Sequence, residues 1–236
     1  MVAAVGRVVH RFRRLALTLL LFALPACGVS PQPSPPNLDV DSMAEPPTGG
    51  VGLPAFTGRV DPPEGVVVVI HLDGDAPPRA EPVAADGRFS VTAIGPIEDE
   101  HRVQARVGAA RSAPVDLVGE GEPATLRPAP RPLADCFVTE LELDFGGVPV
   151  GGRLEQRVTV TNDCGEPLSF APARLRVDGP FEIVSAPTAL ADGEAAELIV
   201  AATPTAPGPA EGIVFLESTA PMADRRPISL FVDGRD

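Results

Sequence analysis

Beyond residue 54 the chain alternates apolar and polar positions in short runs broken by turn residues, a period of two that predicts β-strands. The first runs are 56–60 (FTGRV) and 66–72 (VVVVIHL), the second a near-continuous β-branched stretch. Residues 88–94 (RFSVTAI) follow Asp86-Gly87, a hairpin turn signal, and place Phe89, Val91 and Ala93 on one face. Residues 101–107 (HRVQARV) put Val103, Ala105 and Val107 inward, and 114–118 ends the unit. After residue 136 the pattern is longer. Leu141, Leu143 and Phe145 share a face, as do Val158 and Val160, and strands are predicted at 168–177, 181–185, 194–202, 212–219 and 227–232.

These runs predict an all-β chain with two immunoglobulin-like β-sandwich domains in tandem, at 54–118 and 136–234. The 236 residues have room for both, and 29 Pro with 23 Gly suit many short strands and tight turns. Residues 27–53, rich in Pro, Ser and Gly, bury too little apolar surface to offset ordering and read as a disordered spacer. Residues 119–135 alternate Pro with small residues and read as a semi-rigid linker.

The chain opens with Arg7, Arg11, Arg13 and Arg14, then an apolar run over 15–24 that is too short to span a bilayer. These proportions predict a signal peptide at 1–26. The run closes on Leu24-Pro25-Ala26-Cys27-Gly28, which resembles the lipobox of bacterial lipoproteins, with Pro25 departing from the usual small residue. The resemblance implies cleavage before Cys27, a diacylglycerol on its sulfur and acylation (palmitate or a similar chain) of its new amino group. Gly28, in place of Asp, favours the outer membrane, facing either the periplasm or the cell exterior. Two or three acyl chains at about 0.8 kcal/mol per buried methylene hold a protein at a membrane.

Two further resemblances concern the sandwiches. Residues 66–72, Ala85-Asp86-Gly87-Arg88-Phe89-Ser90-Val91 and 102–107 are similar to bacterial immunoglobulin-like repeats, and the Asp-Gly-x-Phe turn is shared with carboxypeptidase regulatory-like domains. Leu143-Asp144-Phe145-Gly146, Val158 to Asn162, Pro167-Leu168, Gly179 to Ile183 and Ile228 to Val232 resemble the Hydin/ASH group found in choice-of-anchor D surface proteins. Both resemblances imply structural or binding modules without catalytic residues.

With Cys27 lipidated, Cys136 and Cys164 remain as an even pair in an oxidising compartment, where a disulfide is expected. The stretch 136–165 reads as two strands joined by a Gly-rich turn. A plain hairpin pairing Leu141 and Leu143 with Val158 and Val160 would put the cysteines on opposite faces. A bridge therefore requires a bulge near Asn162-Asp163, or strands that end before the cysteines.

Charge and composition narrow the function. Against 32 acids stand 19 cations, every one an arginine, so a nucleic-acid partner is not expected. There is no Trp or Tyr to build a sugar platform or an interface hot spot. Acids at Asp73 and Asp75 beside His71 have the alternation of a calcium loop but lack its full spacing, and Glu98 to His101 reads as a solvated loop. No Gly-x-Ser-x-Gly, His-Glu-x-x-His, Cys-x-x-Cys or phosphate loop occurs, so catalysis, metal and cofactor are all unexpected. The expected protein is a non-enzymatic membrane-anchored lipoprotein whose sandwiches serve protein interaction, adhesion or envelope structure with an unnamed envelope or surface protein. The alternative is a carbohydrate- or small-ligand-binding surface module.

Overall fold

The computed structural model describes residues 34–46, 52–176 and 179–236, so the expected signal peptide and Cys27 lie outside the described residues. Among the described residues nine strands build the first sandwich: β1 (Asn37–Val40), β2 (Ala55–Asp61), β3 (Val66–His71), β4 (Arg79–Pro82), β5 (Arg88–Thr92), β6 (His101–Val107), β7 (Ala110–Arg111), β8 (Val115–Glu120) and β9 (Thr125–Pro128). One sheet has the order β1-β2-β5, the other β4-β3-β6-β8-β9 with β7 on β6. Phe56, Val60, Phe89 and Val91 from the first meet Val67, Val69, Val103, Ala105 and Leu117 from the second. The all-β expectation is met, since alternation on each strand delivers one apolar face to this core.

Two segments read as spacers join that fold. Residues 37–40 pair along their whole length with β2, Leu38 and Val40 pack on the core, and Met43 and Glu45 bridge Thr125 and Ala55. Residues 125–128 pair with β8, and Leu126 is buried. Their composition is polar, but one or two apolar side chains in register suffice to dock a four-residue edge strand once a sheet is present. The Asp86-Gly87 turn is also not a hairpin turn: β4 and β5, which it separates, lie in opposite sheets.

The second sandwich contains β10 (Phe137–Thr139), β11 (Glu142–Pro149), β12 (Leu154–Asn162), β13 (Leu168–Phe170), β14 (Arg174–Arg176), β15 (Phe181–Ser185), β16 (Ala189–Leu190), β17 (Ala195–Ala202), β18 (Gly208–Ala220) and β19 (Asp224–Arg235). Its sheets run β10-β12-β17-β15 and β11-β19-β18-β13-β16, with β14 on β18 and β11 parallel to β19. Leu143, Phe145, Val158, Val160, Leu198, Val214, Leu216, Ile228 and Leu230 fill the space between them.

The expected hairpin at 136–165 is corrected by this topology. β11 pairs with β19, β12 pairs with β10 and β17, and the Gly-rich turn carries the chain from one sheet to the other. Leu143 and Val158 thus face each other across the core. The disulfide between Cys136 and Cys164 is present, with Cα atoms 4.7 Å apart. Register does not oppose it, because Cys136 precedes β10 and Cys164 follows the end of β12 at Asn162. Asn162 is buried and organises this corner: its side-chain amide donates to the carbonyls of Glu166, Leu190 and Ala191, and its Oδ1 accepts from Cys164 N–H.

Candidate functional site at the junction of the sandwiches

β3 is buried on both faces. Val67 and Val69 enter the first core, while Val68, Ile70 and Leu72 point away from it and meet Ile213 and Phe215, which point out of β18. A strand covered on both sides should read as an unbroken apolar run, and VVVVI and IVFL are such runs. The β3 sheet of the first sandwich therefore stacks on the β18 sheet of the second, and residues 34–236 form one compact unit.

Beside the apolar patch the junction is built from arginine. β6 carries Arg102, Gln104 and Arg106 on its outer face, positions that alternation alone assigns to solvent, yet Arg102 and Gln104 are 0 % exposed. Arg102 holds Asp116 of β8 with two bonds of 2.7 and 2.9 Å, and also donates to Ser229 Oγ and the Pro227 carbonyl on β19, each at 2.7 Å. Its planar fork can satisfy four acceptors on two sandwiches, which a lysine ammonium in that place would not. Gln104 Nε2 donates to the Ser112 carbonyl at 3.0 Å and to Glu142 Oε2 at 3.1 Å. Arg106 pairs with Glu211, and the Arg111 guanidinium lies 3.6 Å from the centre of the Phe231 ring while bonding Asp144 at 2.9 Å.

At one end of the junction the two acidic stretches of interest in the sequence come together. Asp73 Oδ2 accepts from Glu100 N–H at 2.7 Å, and Arg225 of β19 donates to Asp73 Oδ1 at 2.7 Å and also pairs with Glu100. Arg131, from the segment connecting the sandwiches, pairs with Glu100 and reaches Asp116 at 3.0 Å. Burial raises the Asp73 carboxyl, but the hydrogen bonds from Arg225 and from Glu100 N–H, with the Arg225 charge, outweigh it and leave the pKa below the ordinary value. Burial lowers Arg131 and Arg225, and their carboxylate partners more than reverse this, so both are held above the usual arginine value. Asp73 has both oxygens occupied by protein donors, and among the described residues no group of three or more His, Cys, Asp or Glu is arranged to hold a metal. Asp75 takes no part in the hydrogen bonds among Asp73, Glu100, Arg131 and Arg225.

The two histidines also converge. His71 Nε2 is 2.8 Å from Asp99 Oδ2, and its ring is clamped between Gly74 and Gly95, where an added Cβ would lie 2.5 and 2.7 Å from ring atoms. His71 stacks on His101 with ring centres 5.0 Å apart. His101 is wholly buried against Phe56, its nitrogens 2.9 Å from the Asp99 carbonyl and 3.0 Å from that of Ile94. Burial pulls its pKa below the usual histidine value, and the two carbonyls, which favour the imidazolium, offset only part of that. This arrangement is a packed polar core with no nucleophile in its bonding pattern.

Sequence reasoning singled out His71, Asp73, Glu98 and His101 but missed Arg102, Gln104, Arg131 and Arg225. The available signal was indirect: two apolar runs, at 66–70 and 213–216, too continuous for half-exposed strands.

No protein-family description and no curated protein matches the chain. Among solved structures, an ASH/PapD-like domain of human CEP192 aligns at 14 % identity and a TM-score of 0.38, covering 47 % of this chain and 92 % of that domain. A protein of unknown function from Porphyromonas gingivalis aligns at 12 % identity and 0.38, covering 84 % of this chain and 99 % of the other. The Vibrio cholerae VesB protease aligns at 12 % identity and 0.36 over 71 % of this chain, which spans 61 % of the protease chain. Superpositions this loose carry no functional argument.

Proposed function

We propose that the protein is a non-enzymatic lipoprotein of the outer membrane, tethered through Cys27, that presents a preassembled pair of sandwiches to another envelope or surface protein. The observation that carries this reading is the arginine-bonded junction, which makes the tandem sandwiches one body. A body ordered before it meets a partner loses less conformational entropy on binding. The junction also consumes one face of each sandwich, so the outer faces of the β1-β2-β5 and β10-β12-β17-β15 sheets, the sheet edges and the loop ends remain for contact. The histidines fit the non-enzymatic part: His101 is held by two backbone carbonyls, and His71 is stacked on it and bonded to the Asp99 carboxylate.

β1 shortens the tether. Cys27 stands ten residues before Asn37, the first paired residue, and ten extended residues reach at most about 36 Å. The body thus acts close to the bilayer. Fatty-acid labelling of the full chain against Cys27→Ala tests the anchor: loss of label and of membrane association is expected, and an unlabelled wild-type chain refutes it. Photo-crosslinking from Thr159, on the exposed face of β12, tests the partner: recovery of one defined envelope protein is expected, and crosslinks to none, from either outer face, refute an interaction role.

A further inference from the structure

The first sandwich ends in an apolar groove of about 670 Å³. Three connections build it: β1–β2 supplies Pro46, Leu53 and Pro54, β5–β6 supplies Pro96 and Ile97, and the β8–β9 turn supplies Pro123. Four prolines remove an N–H donor and restrict the backbone at four places in the wall, which suits a site for apolar groups. Ile97 forms part of the floor and is tied into the core, whereas Leu53 is 40 % exposed at the mouth.

The rim has a distinct charge. Glu98 and Glu122 line the groove and are exposed. Deeper carboxylates at the junction, Asp73, Glu100 and Asp116, are neutralised by Arg225, Arg131 and Arg102, but Glu98 and Glu122 enter none of the ion pairs among the described residues. Glu98 also borders the neighbouring cleft, whose Arg131 and Arg225 are already taken by Glu100 and Asp73 and so leave Glu98 free. A lipid surface is a poor match, because anionic headgroups would be repelled by Glu98 and Glu122. A nucleic acid is excluded by the same charge.

We propose that this groove docks an extended segment of a partner protein in which one aliphatic side chain is flanked by arginine or lysine. The aliphatic group fills the space between Leu53, Ile97 and Pro123, and the flanking cations reach Glu98 and Glu122. This deepens the protein-interaction reading, on which it rests.

The test uses the full chain in phosphatidylcholine nanodiscs and a fluorescent peptide carrying Arg-Leu-Arg in a Gly/Ser frame, read by anisotropy. Saturable binding is expected, with Arg-Ser-Arg weaker by roughly tenfold or more from the lost apolar burial. Glu98→Gln and Glu122→Gln should each weaken it roughly two- to fivefold, and added salt should weaken the wild type most. Leu53→Ser, at an exposed position that leaves the core intact, should weaken it as the peptide serine does. Absence of saturable binding, equal binding of Glu-Leu-Glu, or binding unchanged by all three substitutions overturns the proposal. If the nanodisc-held chain still carries its fatty acids and still crosslinks to one defined partner, such a result leaves the proposed function standing and removes only this groove.

Discussion

Arg102→Leu removes the central tie of the junction while keeping apolar bulk. Four charge-assisted hydrogen bonds disappear: two to Asp116, one to Ser229 and one to the Pro227 carbonyl. Deleting one partner of a buried ion pair costs about 3–5 kcal/mol, because the other charge stays desolvated. Asp116 keeps Arg131 at 3.0 Å, which favours the lower half of that range, and the stranded Ser229 hydroxyl and Pro227 carbonyl add to it. A loss of about 3–4 kcal/mol in a body of this size lowers the melting temperature by roughly 10 °C. The chain has no Trp or Tyr, so calorimetry and far-ultraviolet dichroism replace intrinsic fluorescence. The wild type should melt in one transition and the variant in one lower transition. Ser229→Ala should cost about 1–2 kcal/mol in the wild type and close to nothing beside Arg102→Leu, since its partner is already gone. Two independent transitions in the wild type, with only the first sandwich affected by Arg102→Leu, would falsify the account of the junction as a single body.

Other consequences can be measured on the same protein. Without reduction, neither Cys136 nor Cys164 should alkylate, and replacing both by Ser should cost about 3.5 kcal/mol in the chain-entropy account for a separation of 28 residues. His101 has a folded pKa below its unfolded value of 6.5, so its contribution is complete above that pH and is lost as pH falls toward the folded pKa. His101→Gln should flatten this part of the stability profile, and an unchanged slope would show that His101 does not titrate as described. Asp73, with a depressed pKa, contributes above about pH 4 and loses its contribution at lower pH; Asp73→Asn should remove that lower step, seen by urea melts across pH. Gly65→Ala should destabilise by at least about 2 kcal/mol, because φ is +83° and the new Cβ would lie 2.0 Å from the Arg106 carbonyl oxygen; a near-neutral result would contradict the β2–β3 turn geometry.

Much of the fold was legible because strand alternation is local. Phe89 and Val91, Leu143 and Phe145, and Val158 and Val160 lie in the cores that the pattern assigned them, whereas Leu141, before the start of β11, is 41 % exposed and Val107, at the end of β6, is only half-buried. Topology was less legible. A Gly-rich turn between two alternating strands suits a hairpin and a sheet-to-sheet crossing equally, and only the pairing of β11 with β19 decides between them. The candidate site was legible in pieces: His71 and Asp73, with Glu98 to His101, stood out as titratable groups, but the solvated-loop reading of Glu98 to His101 fails at Glu100 and His101, which are buried. Their convergence comes from the pairing of β3 with β6, which sets His71 opposite His101, and Arg225, more than a hundred residues away, ties that corner to the second sandwich.

By itself, then, the sequence determined that the chain is all-β, where most strands lie, and which face of each enters a core, since these follow from side-chain period and local turn chemistry. Tertiary structure decided the rest. Asn37–Val40 and Thr125–Pro128 become strands because a neighbouring sheet edge accepts their hydrogen bonds. Arg102 and Gln104 are buried because a second sandwich covers a face that alternation assigns to water. Cys136 and Cys164 meet because both strands stop short of them. Each of these depends on contacts between residues distant along the chain, and periodicity within one segment carries no record of them.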